Sequence, residues 1–359
     1  MLLLVFFTFL SYASASCPCS DESHCQPIAS PPKQEIFAFS TEPNNWRQYD
    51  WSKVTTVALF RNPNDPELMC YAHSKGARVV LRGLFSVAKL TNKTERDLWL
   101  KTQVEMAKEY HMDGINIDIE DPISDSDSAL RDDLTQLVFD TKVAFAGAIP
   151  GSQVSFDIAW SPDCADGRCY DTVGLANVVD FLVVMSYDER SQIRGACIAS
   201  ANSPLPQTVE GIEMFRKYGI PDSKLVLGQP WYGYNYPCIS MSDGNICHLE
   251  EVPFRGVNCS DAAGSEENYS DIQKLLINST SGRIWNATLC APFFDYVASD
   301  GRRHQVWYDD PQSIGMKCDY VVANGLRGIA MWTSDSLDYS NTPDARAQTK
   351  AMWDALPTW

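Results

Sequence analysis

Positive charge is scarce in this 359-residue chain: 29 Lys and Arg stand against 46 Asp and Glu, a net charge of −17. Nucleic acids and anionic membrane surfaces both recruit Lys/Arg patches, so the deficit removes those two partner classes. Histidine is rarer still, with five residues scattered along the chain. No C-x-x-C pair stands near them, so zinc has no ligand set and neither metal nor cofactor is expected. A Gly-rich phosphate loop after the first strand candidate is missing, which leaves dinucleotide binding unsupported. Beyond residue 10 no apolar run approaches the roughly 20 residues that cross a bilayer, so no membrane anchor is expected.

The first residues that are there address the compartment. Leu2 to Leu10 (LLLVFFTFL) is an apolar run ending in Ser11-Tyr12-Ala13-Ser14-Ala15, an h-region with an A-x-A cleavage site. Residues 1–15 are therefore read as a signal peptide, with the mature chain starting near Ser16 and entering the secretory route. All twelve cysteines lie beyond it, and an even count in a secreted chain reads as disulfides. Cys17-Pro18-Cys19 with Cys25 suggests a stapled N-terminal segment, while Cys164 with Cys169 and Cys238 with Cys247 flank short loops; the connectivity stays open. N-x-S/T sequons at Asn92, Asn258, Asn268, Asn278 and Asn286 are glycosylation candidates. Four of them cluster within 258–288, which argues for an exposed excursion.

Hydrophobic content of 45 % is ordinary for a globular protein. Short β-branched runs at 36–39, 55–60, 78–83, 114–120, 153–160, 181–188, 224–232 and 328–333 read as strands. Amphipathic stretches such as 95–110, 129–148, 205–218 and 312–324 read as helices between them. Eight alternating units predict an α/β fold, a (β/α)8 TIM barrel, with an open doubly wound sheet as the alternative. The Asn-, Ser-, Gly- and Cys-rich interval 234–304 breaks the rhythm and is read as an insertion subdomain after the seventh strand. The catalytic barrel would then comprise 16–233 and 305–359; a separate second domain is the alternative. Nothing signals an oligomer, so a monomer is expected.

The sharpest local signal is Asp113-Gly114-Ile115-Asn116-Ile117-Asp118-Ile119-Glu120. Alternation sends the isoleucines to one face and Asn116, Asp118 and Glu120 to the other. In a barrel the helices cover the apolar face, so the three polar groups point inward. Two neighbouring buried carboxylates raise the pKa of one, which marks Glu120, at the strand's C-terminal end, as a general acid.

DGINIDIE resembles the D-G-x-[DN]-x-D-x-E signature of glycoside hydrolase family 18, the chitinases and endo-β-N-acetylglucosaminidases. Met185-Ser186-Tyr187-Asp188, Gly228-Gln229-Pro230-Trp231-Tyr232-Gly233 and Gly325 to Trp332 resemble later family motifs, in the same order. Cys17-Pro18-Cys19, Met69 to His73 and Trp231 to Tyr234 are similar to its lysosomal, chitobiose-cleaving branch. Asn116 departs from the more frequent Asp, and Leu81-Arg82-Gly83 departs from a Ser/Gly-rich third strand end.

The resemblance implies a retaining, substrate-assisted glycosidase acting on oligosaccharides with β-1,4-linked N-acetylglucosamine, in the lysosome or, alternatively, outside the cell. It implies that Glu120 protonates the leaving oxygen, that Asp118 orients the substrate's acetamide, and that Tyr187 donates to the acetamide oxygen. Asn116, Asp188, Trp332, Trp160, Gln229 and Tyr232 would bind substrate, with Asp157 as a structural partner. A secreted endochitinase and a non-catalytic lectin of the same family are the competing functions; lectins typically replace the acid, which is present here. His73 and His111 are read as surface or helix-end residues.

Overall fold

The computed structural model describes residues 16–359, so the signal peptide expected over 1–15 lies outside the described residues. Seven parallel strands come first: β1 (Glu35–Ser40), β2 (Thr56–Leu59), β3 (Arg78–Gly83), β4 (Gly114–Ile117), β5 (Gln153–Ala159), β6 (Phe181–Met185) and β7 (Leu225–Pro230). The chain then builds β8 (Tyr232–Pro237), β9 (Ser240–Ser242), β10 (Ile246–His248), β11 (Ser265–Asn268), β12 (Ile284–Asn286), β13 (Ala291–Val297) and β14 (Arg303–Trp307). It returns as β15 (Gly328–Trp332), which pairs with β7 on one side and β1 on the other and closes the ring. Closure rules out the open sheet.

Alternation along each strand sorts the core into two layers. Phe37, Phe39, Ala58, Val80, Phe181, Val183, Val226 and Ala330 meet inside the ring. Their neighbours Ile36, Val57, Leu81, Ile115, Leu182, Leu227 and Ile329 join the larger cluster beneath the helices. Those helices are α1 (Pro66–Ser74), α2 (Lys93–Glu109), α3 (Ser128–Ala148), α4 (Thr172–Val178), α5 (Leu205–Lys217), α6 (Tyr269–Ile277, in the excursion), α7 (Pro311–Asn324) and α8 (Pro343–Asp354). Part of the acid excess is used at their starts: Asp65, Asp127, Asp171 and Asp310 each accept first-turn N–H groups, worth roughly 0.5–2 kcal/mol apiece. Gly114 has no substitute. Its φ is 156° and a Cβ there would sit 1.9 Å from the Gln153 carbonyl oxygen on β5.

The excursion forms a five-stranded antiparallel sheet in the order β11-β8-β14-β13-β12, with a β9–β10 hairpin closed by Cys238–Cys247. Asn92, Asn258, Asn268 and Asn278 are exposed, whereas Asn286 is half-buried in β12. Cys17–Cys25, Cys19–Cys70, Cys164–Cys169 and Cys197–Cys259 are also bonded. Pairing of all twelve, expected from the even count, does not hold: Cys290 and Cys318 are free. Cys318 is buried on α7, where the helix packs on the barrel with no second thiol alongside.

His73 lies in the last turn of α1, one of the two placements expected of it, but it is buried there and not at the surface. Its Nδ1 lies 2.6 Å from the His24 carbonyl oxygen and its Nε2 lies 2.8 Å from Asp113 Oδ2. Asp113 also accepts the Ile28 and Val79 backbone N–H groups. Both ring nitrogens face acceptors, an arrangement that favours the imidazolium, in which both donate. Burial opposes that charge, but the Asp113 carboxylate and the His24 carbonyl outweigh it and raise the pKa. With the folded value above the unfolded one (about 6.5), the stabilisation is complete below the unfolded pKa and is lost as pH rises through the folded one. His73→Phe is therefore expected to lower Tm more at pH 5 than at pH 8; a penalty independent of pH would show that the imidazole is neutral.

Candidate active site

The C-terminal ends of the barrel strands open into a cavity of about 700 Å³, its open mouth included. Asp118 and Glu120 enter it from the segment that continues β4, Asp157 and Trp160 from β5 and its end, Tyr187 and Asp188 from just past β6, and Trp332 from β15. The strand alternation beginning at Ile115 persists beyond β4, since Ile117 and Ile119 remain in the outer core. That persistence carries Asp118 and Glu120 inward.

The carboxyl groups differ in surroundings. Asp118 is buried, and its Oδ2 accepts from Arg82 Nε at 3.0 Å and Nη2 at 2.6 Å. Glu120 opens on the cleft with its side chain 47 % exposed, and its Oε2 lies 2.8 Å from Arg168 Nη2. Partial burial among protein walls, followed by the negative charge of Asp118, pushes its pKa up to about 7, with Arg168 opposing. Glu120 therefore holds its proton through the acidic range while staying within reach of a ligand, which is what a general acid requires. Asp157 is pushed well above the carboxylate range by burial and then by Asp118, although Asn116 Nδ2 donates to it at 2.8 Å.

Asp188 sits in the left-handed region at φ 51°, a conformation Asp tolerates better than most residues. Asn202 Oδ1 accepts its N–H at 2.7 Å. Its Oδ1 accepts the Tyr232 and Tyr234 hydroxyls at 2.5 and 3.0 Å. Burial raises its pKa despite those two bonds. Burial also lifts the Tyr187 phenol well above its ordinary value, with Asp157 adding, so it stays a neutral donor. The Tyr187 and Trp332 rings lie nearly parallel, 17° apart with centroids at 6.5 Å. Trp332 is wedged edge-on by Phe39 and Phe60. A Cβ at position 228 would come within 3.0 Å of the Tyr187 ring, so the lumen-facing glycine of β7 leaves that ring its place.

Of the residues singled out in the sequence, Glu120, Asp118, Tyr187, Asp188, Trp160 and Trp332 line this one cavity. Asn116 is fully buried beneath it, donating to Ser155 and Asp157. Tyr232 holds Asp188 from behind. Gln229 does not line the cleft: on β7, Val226 belongs to the lumen cluster, so the alternation sends Gln229 outward to Cys318 of α7 at 3.6 Å. Arg82, Asp166, Arg168 and Glu266 were missed. Arg82 was legible, since it shares the inward parity of Val80 on β3. Arg168 had only the Cys164/Cys169 bracket to betray it, and Glu266 had no local signal.

A closed parallel barrel with an acid-bearing cavity at its C-terminal mouth is the architecture of a barrel glycoside hydrolase. Residues 82–336 match Glycosyl hydrolases family 18, and the chain belongs to that family. It is 51 % identical to the di-N-acetylchitobiase of Mus musculus over 356 residues, covering 99 % of this chain and 96 % of that one. It is 47 % identical to the di-N-acetylchitobiase of Homo sapiens, covering 96 % and 89 %. Among solved structures, a chitinase from Chromobacterium violaceum superposes with a TM-score of 0.68 at 18 % identity, covering 90 % of this chain and 98 % of that one. A family 18 chitinase from Cycas revoluta in complex with (GlcNAc)3 gives 0.67 at 18 %, covering 89 % and 99 %. At such identities the structural likeness speaks for the fold. No helix among the described residues is long and apolar enough to cross a membrane.

Proposed function

We propose that this family 18 hydrolase cleaves β-1,4-linked N-acetylglucosamine in the di-N-acetylchitobiose core of freed N-linked glycans and in chitooligosaccharides. The work is done in the lysosome, by a retaining mechanism in which the substrate supplies the nucleophile. The near-full-length likeness to di-N-acetylchitobiases supports the substrate class. The observation that carries the mechanism is Glu120, protonated up to about pH 7 and open to the same cavity as Asp118, Tyr187 and Trp332.

In this reading one face of the sugar packs on Trp332, and Asp188 holds a hydroxyl. Glu120 gives its proton to the glycosidic oxygen as the C1–O bond breaks. The acetamide carbonyl oxygen closes on C1 with its N–H held by Asp118 and its oxygen hydrogen-bonded by Tyr187, giving an oxazolinium-type ring. The Glu120 carboxylate then takes a proton from the water that opens that ring, restoring the acid with net retention. Interval 234–304 acts as a subdomain that walls one side of the cleft, an assignment supported by Glu266 of β11 at its lining.

Digestion of defined chitotetraose across pH tests the proposal. Because the acid must be protonated, activity is expected to peak on the acid side and fall as pH rises through about 7. A maximum near pH 8, or intact tetraose throughout, would reject it.

A further inference from the structure

Arg168 is the cation paired with Glu120, and its position is built. It belongs to the six-residue loop that the Cys164–Cys169 bond closes after β5. Ile123 N–H donates to the Gly167 carbonyl and Cys169 N–H to the Ile123 carbonyl, both at 3.0 Å. The loop is thus stitched to the segment that follows Glu120. The Arg168 side chain is only 12 % exposed, with Nη2 2.8 Å from Glu120 Oε2 and 3.5 Å from Asp166 Oδ2. Asp166 is fixed in turn, accepting Ser191 Oγ and donating its N–H to Gln192 Oε1. A loose surface ion pair spends side-chain entropy to form and achieves little; this guanidinium is largely buried, on a loop that a disulfide and backbone bonds fix.

We infer that Arg168 is a positioning residue acting through Glu120: it stabilises the carboxylate that Glu120 becomes when its proton leaves, and thereby sets the pH range in which the acid works. The inference rests on Glu120 being the acid. As the C1–O bond breaks, its electron pair stays on the departing oxygen, which takes the Glu120 proton. The positive charge at C1 passes to the acetamide, and the negative charge appears on Glu120, beside the guanidinium. The other groups around it oppose that charge. Asp118 comes from its own segment, Asp157 from β5, Asp188 from the end of β6, Asp166 from the disulfide loop and Glu266 from β11. Arg82, from β3, is occupied by Asp118. Without Arg168, Glu120 would be ringed by carboxylates with no cation of its own. It would then hold its proton too tightly for efficient transfer.

A neighbouring arginine lowers a carboxyl pKa by roughly 1–3 units. In Arg168→Gln the alkaline limb of the kcat/KM profile on chitotriose is therefore expected to move up by about one pH unit, with kcat at pH 5 down roughly tenfold as the acid weakens. Arg168→Lys should bring the limb back. The same titration is read without turnover from the carboxylate infrared band that Glu120→Gln removes. Arg168→Met, which keeps the apolar stem, replaces the amide variant if that does not fold. A limb and a carboxylate band that stay at their wild-type positions when the cation is removed would overturn the inference and leave the Glu120 assignment standing. Full activity in Glu120→Gln would instead remove the assignment itself.

Discussion

Replacing Glu120 with Gln is expected to cut kcat by about 10²–10⁴-fold, the usual worth of a placed general acid, while chitooligosaccharide binding changes little. The amide matches the carboxyl in shape and lacks only the transferable proton. Trp332, Tyr187 and Asp188 do not depend on Glu120 for their positions: Trp332 is wedged by Phe39 and Phe60, and Asp188 is fixed by Tyr232 and Tyr234. Binding measured by calorimetry alongside turnover separates loss of the proton from loss of the site. Retained turnover would show that some other group protonates the leaving oxygen, and Asp157, deep on the cavity floor, would be the next to test.

The second large effect concerns the substrate. A chitooligosaccharide with a free amine in place of the acetamide at the scissile sugar is expected to turn over at background level. A well-oriented intramolecular nucleophile has an effective molarity of about 10⁵–10⁸ M, and no protein group takes over that role. Asp118, which shares the inward parity of Glu120 two positions before it, is clamped through one oxygen by both Arg82 contacts. Cleavage of the amine at the normal rate, followed by mass spectrometry of trapped enzyme, would instead reveal a covalent sugar–protein intermediate.

Much of this site could be read from one strand. Ile115, Ile117 and Ile119 needed an apolar cover, so their alternates Asn116, Asp118 and Glu120 had to face the other way, and only a barrel makes that other way a shared interior. The same alternation, applied by family likeness and not by parity, misplaced Gln229: counting from Val226 sends it outward, beneath α7. The burial of His73 went unread for a different reason. A lone histidine on a short helix looks like a solvated end until the His24 carbonyl and Asp113, distant in sequence on either side, are brought to its two nitrogens.

The order of elements, the count of eight strand candidates, the shared parity of the acid pair and the disulfide-forming cysteines are all local properties: side-chain period, turn residues and cysteine count. They were therefore determined by the sequence alone. Which charges stand against which is a matter of distance between strands far apart in the chain. Arg82 on Asp118, Arg168 on Glu120 and Tyr232 with Tyr234 on Asp188 each join segments 36 to 48 positions apart (82 to 118, 120 to 168, 188 to 232 and 234) or wait on a disulfide to be held there. Electrostatic energy depends on separation in space and on burial, so the protonation state of the acid was decided only when the barrel closed around it.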